Sequence, residues 1–189
     1  MCGLFKRESR ILGLSGTCIK DKIVIVGVVF RGSLWLDGVV TSIVDIAERS
    51  LNYEVSRTIE STKQFSQLHA VILSERMIIN KGVSIVELSR WIRRPVIQPS
   101  KRVKKRRPRK FASAVKDLDL VVNGKHVVVS AVGIGREEAE QLYRIACSPN
   151  CKVPEAVRVA DLIAKELNSR SLNPQRIKNE QKHQATKKP

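Results

Sequence analysis

Basic residues give this chain its clearest chemical signal. Eleven arginine and lysine residues, and no acidic residue, lie between Arg90 and Lys110, and we call this segment the basic run. In its densest part, Lys101 to Lys110, only Val103 and Pro108 are uncharged. Each Lys or Arg placed on a phosphate releases a counterion, so such a segment binds nucleic acid with salt-sensitive and largely sequence-independent affinity.

The charge of the chain is concentrated rather than spread. The formal net charge is +17, of which residues 90–110 contribute +11 and residues 168–189, with six basic residues against Glu180, contribute +5. The remaining residues carry 18 basic against 17 acidic side chains. A nearly neutral body with two basic segments favours a polyanionic partner, with a solvated loop that only aids solubility as the alternative. We expect the nucleic-acid contacts to come from Arg93, Arg94, Lys101, Arg102, Lys104, Lys105, Arg106, Arg107, Arg109 and Lys110.

The cysteines allow three interpretations. Cys147 and Cys151 are separated by three residues, which is looser than the usual structural zinc pair, and a zinc site would need Cys2 and Cys18 to fold onto them. A local disulfide is the second possibility, and ordinary small thiols are the interpretation that we favour. No cofactor is therefore expected from the cysteines.

Apolar and aromatic residues exclude some classes of protein. The longest uninterrupted apolar stretch, Ile23 to Phe30, has eight residues and is too short to cross a bilayer. With no secretory signal visible, we expect a cytoplasmic protein without membrane contact. Aromatic residues are few, and we expect Trp35 and Trp91 in the core rather than as a surface on which bases stack.

The first half of the chain alternates between strand and helix patterns. Strands are predicted at 10–14, 23–31 and 33–43, and because no helix separates them they should pair antiparallel. A turn composition at Ser15-Gly16-Thr17 ends the first of these. A helix at 55–67, a strand at 69–73, a helix at 83–92 and a strand at 95–97 follow.

The second half has a hairpin and two further helices. A helix is predicted at 111–118, and strands at 120–122 and 126–132 flank Asn123-Gly124, a strong hairpin signal. Helices are predicted at 136–147 and 154–167, whereas 168–189 is too polar to join a core and is expected to be disordered or to fold on a partner. The order of elements is that of an α/β, RNase H-like mixed sheet with three antiparallel N-terminal strands, flanked by helices, among several α/β possibilities.

Two segments resemble the archaeal endonuclease dU family, which is related to endonuclease V and similar to RNase H in fold. They are the segment from Val26 to Val40, which contains Phe30-Arg-Gly-Ser-Leu-Trp-Leu-Asp-Gly38, and the segment from Val153 to Ala164. Weaker similarity joins them, so the resemblance covers about residues 9–167. It implies one domain over 1–167, with a basic loop at 98–110 and a separate tail at 168–189.

The resemblance implies an active site, and this chain departs from it. Such nucleases gather carboxylates around Mg²⁺, which activates a water molecule. The family's first strand ends in Gly-Ile-Asp-Asp-Gly, where this chain has Gly13-Leu-Ser-Gly-Thr17, and its fourth strand ends in Asp-Gly, where this chain has Ser74-Glu75. Asp37 and Asp161 match the two remaining acids, so they are the candidate catalytic and metal-binding remnants.

Other roles for these acids remain open. Asp37 would otherwise be a turn residue, and Asp161 a partner of Arg158 or Lys165 on a helix surface. Glu75 could replace the lost acid only if its side chain reached the same face as Ser74, and a shift of one residue along a strand reverses the face.

Three hypotheses for function follow. The first is a nucleic-acid-binding protein, for RNA or DNA, that keeps the nuclease fold and has lost most or all of the catalysis. The second is an active Mg²⁺-dependent endonuclease acting near deaminated bases. The third is an assembly subunit, for example of a ribonucleoprotein particle. The missing acids oppose the second hypothesis, and we favour the first, with the third as its most specific form.

Overall fold

The computed structural model describes residues 5–45, 50–79, 83–99 and 114–172. Within them the chain forms one seven-stranded mixed sheet in the order β3-β2-β1-β4-β5-β7-β6. The strands are β1 Arg10–Ile19, β2 Lys22–Arg31, β3 Trp35–Asp45, β4 Leu68–Leu73, β5 Val96–Pro99, β6 Lys116–Val122 and β7 Lys125–Val132. The helices are α1 Leu51–Glu60, α2 Glu75–Ile79, α3 Ile85–Ile92, α4 Arg136–Ala146 and α5 Glu155–Leu172, with a 3₁₀ turn at Phe65–Gln67.

The three N-terminal strands pair antiparallel, as predicted. β2 is rich in Val and Ile and is buried on both faces, whereas the edge strand β3 is largely exposed. The first strand is longer than predicted, because Ser15, Gly16 and Thr17 lie within β1, opposite Val26, Ile25 and Val24 of β2. Ladder pairing with a strong neighbouring strand therefore overrides the turn tendency of these three residues.

The middle of the sheet is parallel. β4 runs parallel to β1, and β5 runs parallel to β4, so the carboxyl ends of all three strands lie at one sheet edge. The hairpin predicted at Asn123-Gly124 is confirmed, and both residues have positive φ angles of 50° and 73°, as a type I′ turn requires.

The helix predicted over 111–118 is wrong in its described part. Lys116 to Leu118 belong to β6, where Leu118, Leu120 and Val122 are buried and alternate with exposed residues. This period of two is the pattern of a strand that packs on one face, and the pairing with β7 begins at Lys116.

Helices cover both faces of the sheet. α1 and α3 pack on one face, and α4 and α5 pack on the other. α5 approaches β1 closely at Gly13, where a Cβ atom would lie 2.2 Å from the backbone carbon of Ala156. The helix predicted over 55–67 corresponds to α1, which begins and ends earlier, at Leu51 and Glu60. The helix predicted over 154–167 corresponds to α5, which continues five residues past Leu167 to Leu172.

Both tryptophans contradict their predicted core positions. Trp35 is 62% exposed and Trp91 is 42% exposed. Trp35 begins the edge strand β3, which has a neighbour on one side alone, and Trp91 lies in the last turn of α3. In the described part of the chain, no helix is both long and apolar enough to span a membrane.

Candidate functional site

Two serines lie side by side at the sheet edge where β4 and β5 end, next to the middle of β1. Ser15 is in β1, and Ser74 directly follows β4, where its N–H donates to the carbonyl oxygen of Leu14 at 2.7 Å. Both serines are completely buried. The Ser74 hydroxyl donates to the Ser15 Oγ at 3.2 Å, so two neighbouring strands present linked hydroxyl groups to α5.

Asp161 of α5 completes this chain of hydrogen bonds. The Ser15 hydroxyl donates to Asp161 Oδ1 at 2.5 Å. The Asp161 side chain is 35% exposed, so one side of the carboxylate contacts solvent. The structure therefore brings together Ser15, Ser74 and Asp161, which we call the serine–aspartate cluster.

Arg76 is a member of the site that the sequence analysis did not identify. Its backbone N–H donates to the Ser74 Oγ at 3.1 Å, and its Nε lies 4.0 Å from Asp161 Oδ1. The signal available in the sequence was a cation two residues after Ser74. Neither partner expected for Asp161 is in place, since Arg158 pairs with Glu155 at 2.6 Å.

The residues of this cluster do not fit a Mg²⁺ site. Mg²⁺ gives up water reluctantly and is held through carboxylates, whereas the cluster offers one carboxylate and two neutral hydroxyl groups. The single carboxylate also already has a guanidinium 4.0 Å away. Across the described ranges, no group of three or more His, Cys, Asp or Glu side chains could hold a metal ion.

Asp37 lies in a different part of the sheet. Its carboxylate pairs with the Nε of Arg10 at 2.6 Å and with the Nε of Arg31 at 3.4 Å, and its side chain is 16% exposed. The Asp37 carbonyl oxygen accepts a hydrogen bond from Gln64 at 2.8 Å. Arg10 begins β1, five residues before Ser15, which corresponds to about 16 Å along the strand. The structure therefore does not bring Asp37 and Asp161 together.

Glu75 and Gly16 flank the two buried serines in the sequence. Glu75 is the first residue of α2 and is exposed, so the alternation of a strand does not apply to it. A Cβ on Gly16 would lie 2.6 Å from the Met77 Sδ, which belongs to the core on the opposite face of the sheet. An acid at position 16 would therefore not join Ser15 and Asp161.

The expected nucleic-acid contacts divide into described and undescribed residues. Arg93 is exposed and ends α3 with a left-handed φ of 52°. Arg94 makes contacts within the chain, because its guanidinium lies 5.7 Å from the centre of the Phe65 ring and donates to the Ser66 carbonyl oxygen at 3.3 Å. The contacts expected from Lys101, Arg102, Lys104, Lys105, Arg106, Arg107, Arg109 and Lys110 fall outside the described residues.

Pro99, the last described residue before the dense part of the basic run, lies in the sheet. β5 ends at Pro99, directly before the dense part of the run. Since β5 is parallel to β4, Pro99 lies at the sheet edge that also carries Ser15 and Ser74. The attachment point of the basic run and the serine–aspartate cluster therefore share one edge.

The described cysteines, Cys18, Cys147 and Cys151, are free thiols. Burial raises the pKa of the Cys147 thiol to about 12, and the nearby Cys151 and Glu155 add to the rise. The loop that contains Cys151 is held to the β6–β7 turn, because the side-chain amide of Asn123 donates to the Cys151 carbonyl oxygen at 2.9 Å. No disulfide joins these three residues, and Cys2, which the zinc interpretation also needs, lies outside the described residues.

Comparison with known sequences gives a consistent family. The family model described as "Endonuclease dU" matches residues 7–168. A "UPF0215 protein" of Methanosarcina acetivorans is 29% identical over 180 residues, which covers 84% of this chain and 90% of the relative. A "UPF0215 protein" of Methanothermobacter thermautotrophicus is 26% identical over 179 residues, covering 84% of this chain and 87% of the relative.

Comparison with solved structures supports the same fold. A protein of unknown function from Archaeoglobus fulgidus has a TM-score of 0.64 at 19% identity, covering 84% of this chain and 97% of that protein. Endonuclease V of Bacillus subtilis has a TM-score of 0.55 at 13% identity, covering 85% of this chain and 80% of that enzyme. The fold is RNase H-like, as the order of elements predicted.

Proposed function

Because this chain belongs to the endonuclease dU family, we propose that it is a nucleic-acid-binding protein that keeps the nuclease fold without metal-dependent catalysis. The family and the endonuclease V-like fold indicate a function related to nucleic acid. Binding to RNA or DNA, the loss of cleavage and the use of the basic run are the specific parts of the proposal.

The hydrogen bond from Ser15 to Asp161 is the observation that carries the proposal. The resemblance places a carboxylate where Ser15 stands, and there it would share Mg²⁺ with the acid at position 161. With a hydroxyl at position 15, the hydrogen bond of 2.5 Å satisfies Asp161 without a cation. The Arg76 guanidinium compensates further negative charge. A site neutralised in this way has little electrostatic attraction for a divalent ion.

The basic run supports binding in place of cleavage. Its eleven basic residues hold most of the net charge, and it leaves the sheet at the edge that carries the serine–aspartate cluster. A strand of nucleic acid that contacts the run would then pass the same edge that nucleases of this fold use. The affinity comes from phosphate contacts and is largely independent of base sequence.

A subunit of a ribonucleoprotein particle is the most specific form of this function. A neutral body with two basic segments, 90–110 and 168–189, suits a protein whose segments lie between RNA helices. The basic run contains no acidic residue, so no negative charge within it would interrupt its contact with phosphates. Co-purification of RNA with the untagged protein at low salt, lost after nuclease treatment, is the expected result.

The direct test compares two variants that lose the same number of positive charges, one within the basic run and one elsewhere in the chain. One variant replaces Lys104, Lys105, Arg106 and Arg107 with Ser. The matched control replaces four exposed lysines outside the run with Ser, at Lys22, Lys116, Lys152 and Lys165. Affinity for a structured RNA and for a DNA duplex is measured by titration over a range of salt concentrations.

The first variant should bind more weakly at low salt, and its salt slope should fall by about 3 to 4 units if each lost cation contacts a phosphate. The control should keep most of the slope although it has the same net charge. Equal slopes in the wild type and the first variant would show that the basic run is a solvated loop. Equal losses in both variants would show that only net charge matters.

A further inference from the structure

Two half-exposed aromatic rings meet on the surface formed by α1 and α3. Tyr53 of α1 and Trp91 of α3 are each 42% exposed. Their ring centres are 6.4 Å apart at an interplanar angle of 79°, so the edge of one ring meets the face of the other. In this geometry one ring contributes its edge, and the other ring covers neither of its two faces.

Partly buried hydrogen bonds between α1 and the start of α3 hold this pair in place. Asn52, next to Tyr53, donates to a Glu87 carboxylate oxygen at 2.6 Å and accepts from the Ser84 N–H at 2.9 Å. Ser84 also caps the start of α3 by accepting from the Glu87 N–H. The two rings therefore project from a fixed frame and lose little conformational freedom when a ligand binds.

Exposed arginines lie near both aromatic residues in the sequence. Arg57 lies one turn along α1 from Tyr53, and Arg90 and Arg93 flank Trp91 in sequence. In the described ranges, no ion pair or hydrogen bond engages the side chains of these three arginines. Three acids lie nearby: Glu54 follows Tyr53 in α1, the exposed Glu60 lies a further turn along α1, and Glu87 accepts a hydrogen bond from Asn52. The surface thus combines open aromatic faces with cations available for phosphate.

We propose that Tyr53 and Trp91 form a stacking platform for the unpaired bases of a nucleic-acid strand, an inference that rests on the nucleic-acid binding proposed above. A single strand supplies a base for the ring face and a phosphate for a neighbouring guanidinium. A duplex stacks its bases on one another and cannot offer them to the platform. A protein partner would need its own carboxylates opposite the three arginines, whose side chains make no ion pair within the described ranges.

The platform extends the basic run rather than duplicating it. α3 ends at Ile92, and the chain continues through Arg93, Arg94 and β5 to the dense part of the run at Lys101. The run supplies salt-dependent affinity for any phosphate backbone, whereas the rings supply a preference for unpaired bases. Selectivity for single strands over duplexes is therefore the property that the platform adds.

Tryptophan fluorescence tests the platform directly, because the chain has two tryptophans. The Trp35→Phe variant of the full chain keeps Trp91 as its emitter, and the Trp91→Phe variant keeps Trp35 on the edge strand β3. Each is titrated with a 20-residue oligouridine, a 20-residue oligothymidine and a duplex of equal length. Emission from Trp91 should be quenched by the two unpaired strands and much less by the duplex, while emission from Trp35 should not change.

Affinity measurements with ring deletions provide the second test. Trp91→Ala and Tyr53→Ala should each weaken binding of the unpaired strands by about 5-fold to 100-fold, with the salt slope and duplex affinity unchanged. Trp91→Phe should restore much of the affinity, and Trp35→Ala, which removes an equal ring elsewhere, should have no effect. Circular dichroism of each variant checks that α1 and α3 remain folded.

The outcomes separate the two proposals. If the wild type binds nucleic acid through the basic run but Trp91 emission and the ring deletions have no effect, the platform is disproved and the binding function stands. Quenching of Trp35 instead of Trp91 would also disprove the platform. If the wild type binds neither unpaired strands nor duplexes, both proposals fail.

Discussion

The Ser15 hydroxyl donates a hydrogen bond to Asp161 Oδ1 at 2.5 Å across 146 residues of sequence. The contact is possible because α5 lies directly on β1, where Gly13 leaves no side chain between strand and helix. Asp161, one of the two acids that the resemblance identified, thus accepts a hydrogen bond from Ser15, which occupies the position of an acid in the family motif. This pairing converts a position that could attract a cation into one that is satisfied without it.

We predict no metal-dependent cleavage by the 189-residue chain. Uracil- or hypoxanthine-containing DNA and RNA should remain intact with Mg²⁺ or Mn²⁺, because one carboxylate and two hydroxyl groups hold such an ion poorly. Product analysis on denaturing gels is the measurement, and the Asp161→Ala variant should give the same background. Robust cleavage by the natural sequence that is lost in Asp161→Ala would favour the active endonuclease.

Ser15→Asp should destabilise the fold. A carboxylate at this completely buried position would face Asp161 without a cation, and we expect a loss of about 3 kcal/mol in the free energy of unfolding. Ser15→Ala, which only removes a hydrogen bond, should cost about 1 kcal/mol. Denaturant unfolding of the variants gives both values.

A swapped variant provides the control for this effect. Ser15→Asp combined with Asp161→Ser restores one carboxylate and one hydroxyl, so it should recover part of the stability lost by Ser15→Asp alone. Addition of Mg²⁺ should not rescue the single variant. A marked rise in its melting temperature with Mg²⁺ would instead reveal a retained metal pocket.

Asp37→Ala should lower stability without any dependence on metal. The substitution leaves the guanidinium groups of Arg10 and Arg31 half-buried and unpaired, which should cost about 1 to 3 kcal/mol. Thermal unfolding is measured with and without about 10 mM Mg²⁺, a concentration roughly tenfold above a dissociation constant in the millimolar range. The difference in stability between the variant and the wild type should be the same in both conditions. A difference that appears only with Mg²⁺ would identify Asp37 as a metal ligand.

Cys147 should resist thiol reagents in the folded protein. Burial raises the pKa of the Cys147 thiol to about 12, so almost none is thiolate at pH 8, and the buried sulfur is also inaccessible. Labelling followed by peptide mass spectrometry should show modification of the exposed Cys18 but not of Cys147 until denaturant is added. Equal labelling of both would contradict the burial of Cys147.

The raised pKa of Cys147 also predicts a dependence of stability on pH. The folded state holds the thiol proton more tightly than the unfolded chain, whose pKa is near the ordinary value of 9. The stability from this group is therefore fully present below about pH 9 and is lost as pH rises toward 12. The Cys147→Ala variant should lose less stability than wild type over this window.

Local pattern was sufficient for much of the architecture. Three strand-like segments, β1, β2 and β3, follow each other without a helix between them, so antiparallel pairing was predictable. The Asn123-Gly124 turn was predictable because few residues tolerate positive φ angles at both positions. The same pattern failed at Lys116 to Leu118, where a short amphipathic segment suits both helix and strand until a partner strand selects one.

The charge distribution was also a property of the sequence alone, since a count of residues needs no coordinates. The burial of aromatic residues was not. Trp35 and Trp91 are typical core residues by type, but one begins an edge strand and the other faces out from α3 beside Tyr53. Which side of a helix or strand remains open depends on what packs over it, and those contacts join segments distant in the chain.

The site itself depended on tertiary structure for the same reason. Motif matching assigned Asp37 and Asp161 to one site, yet the register of β1, β2 and β3 places Asp37 beside Arg10 and Arg31, near the start of β1 and five residues from Ser15. Asp161 reaches Ser15 because α5 packs on β1. The sequence determines which side chains are available, while strand register and helix packing determine which of them lie within bonding distance.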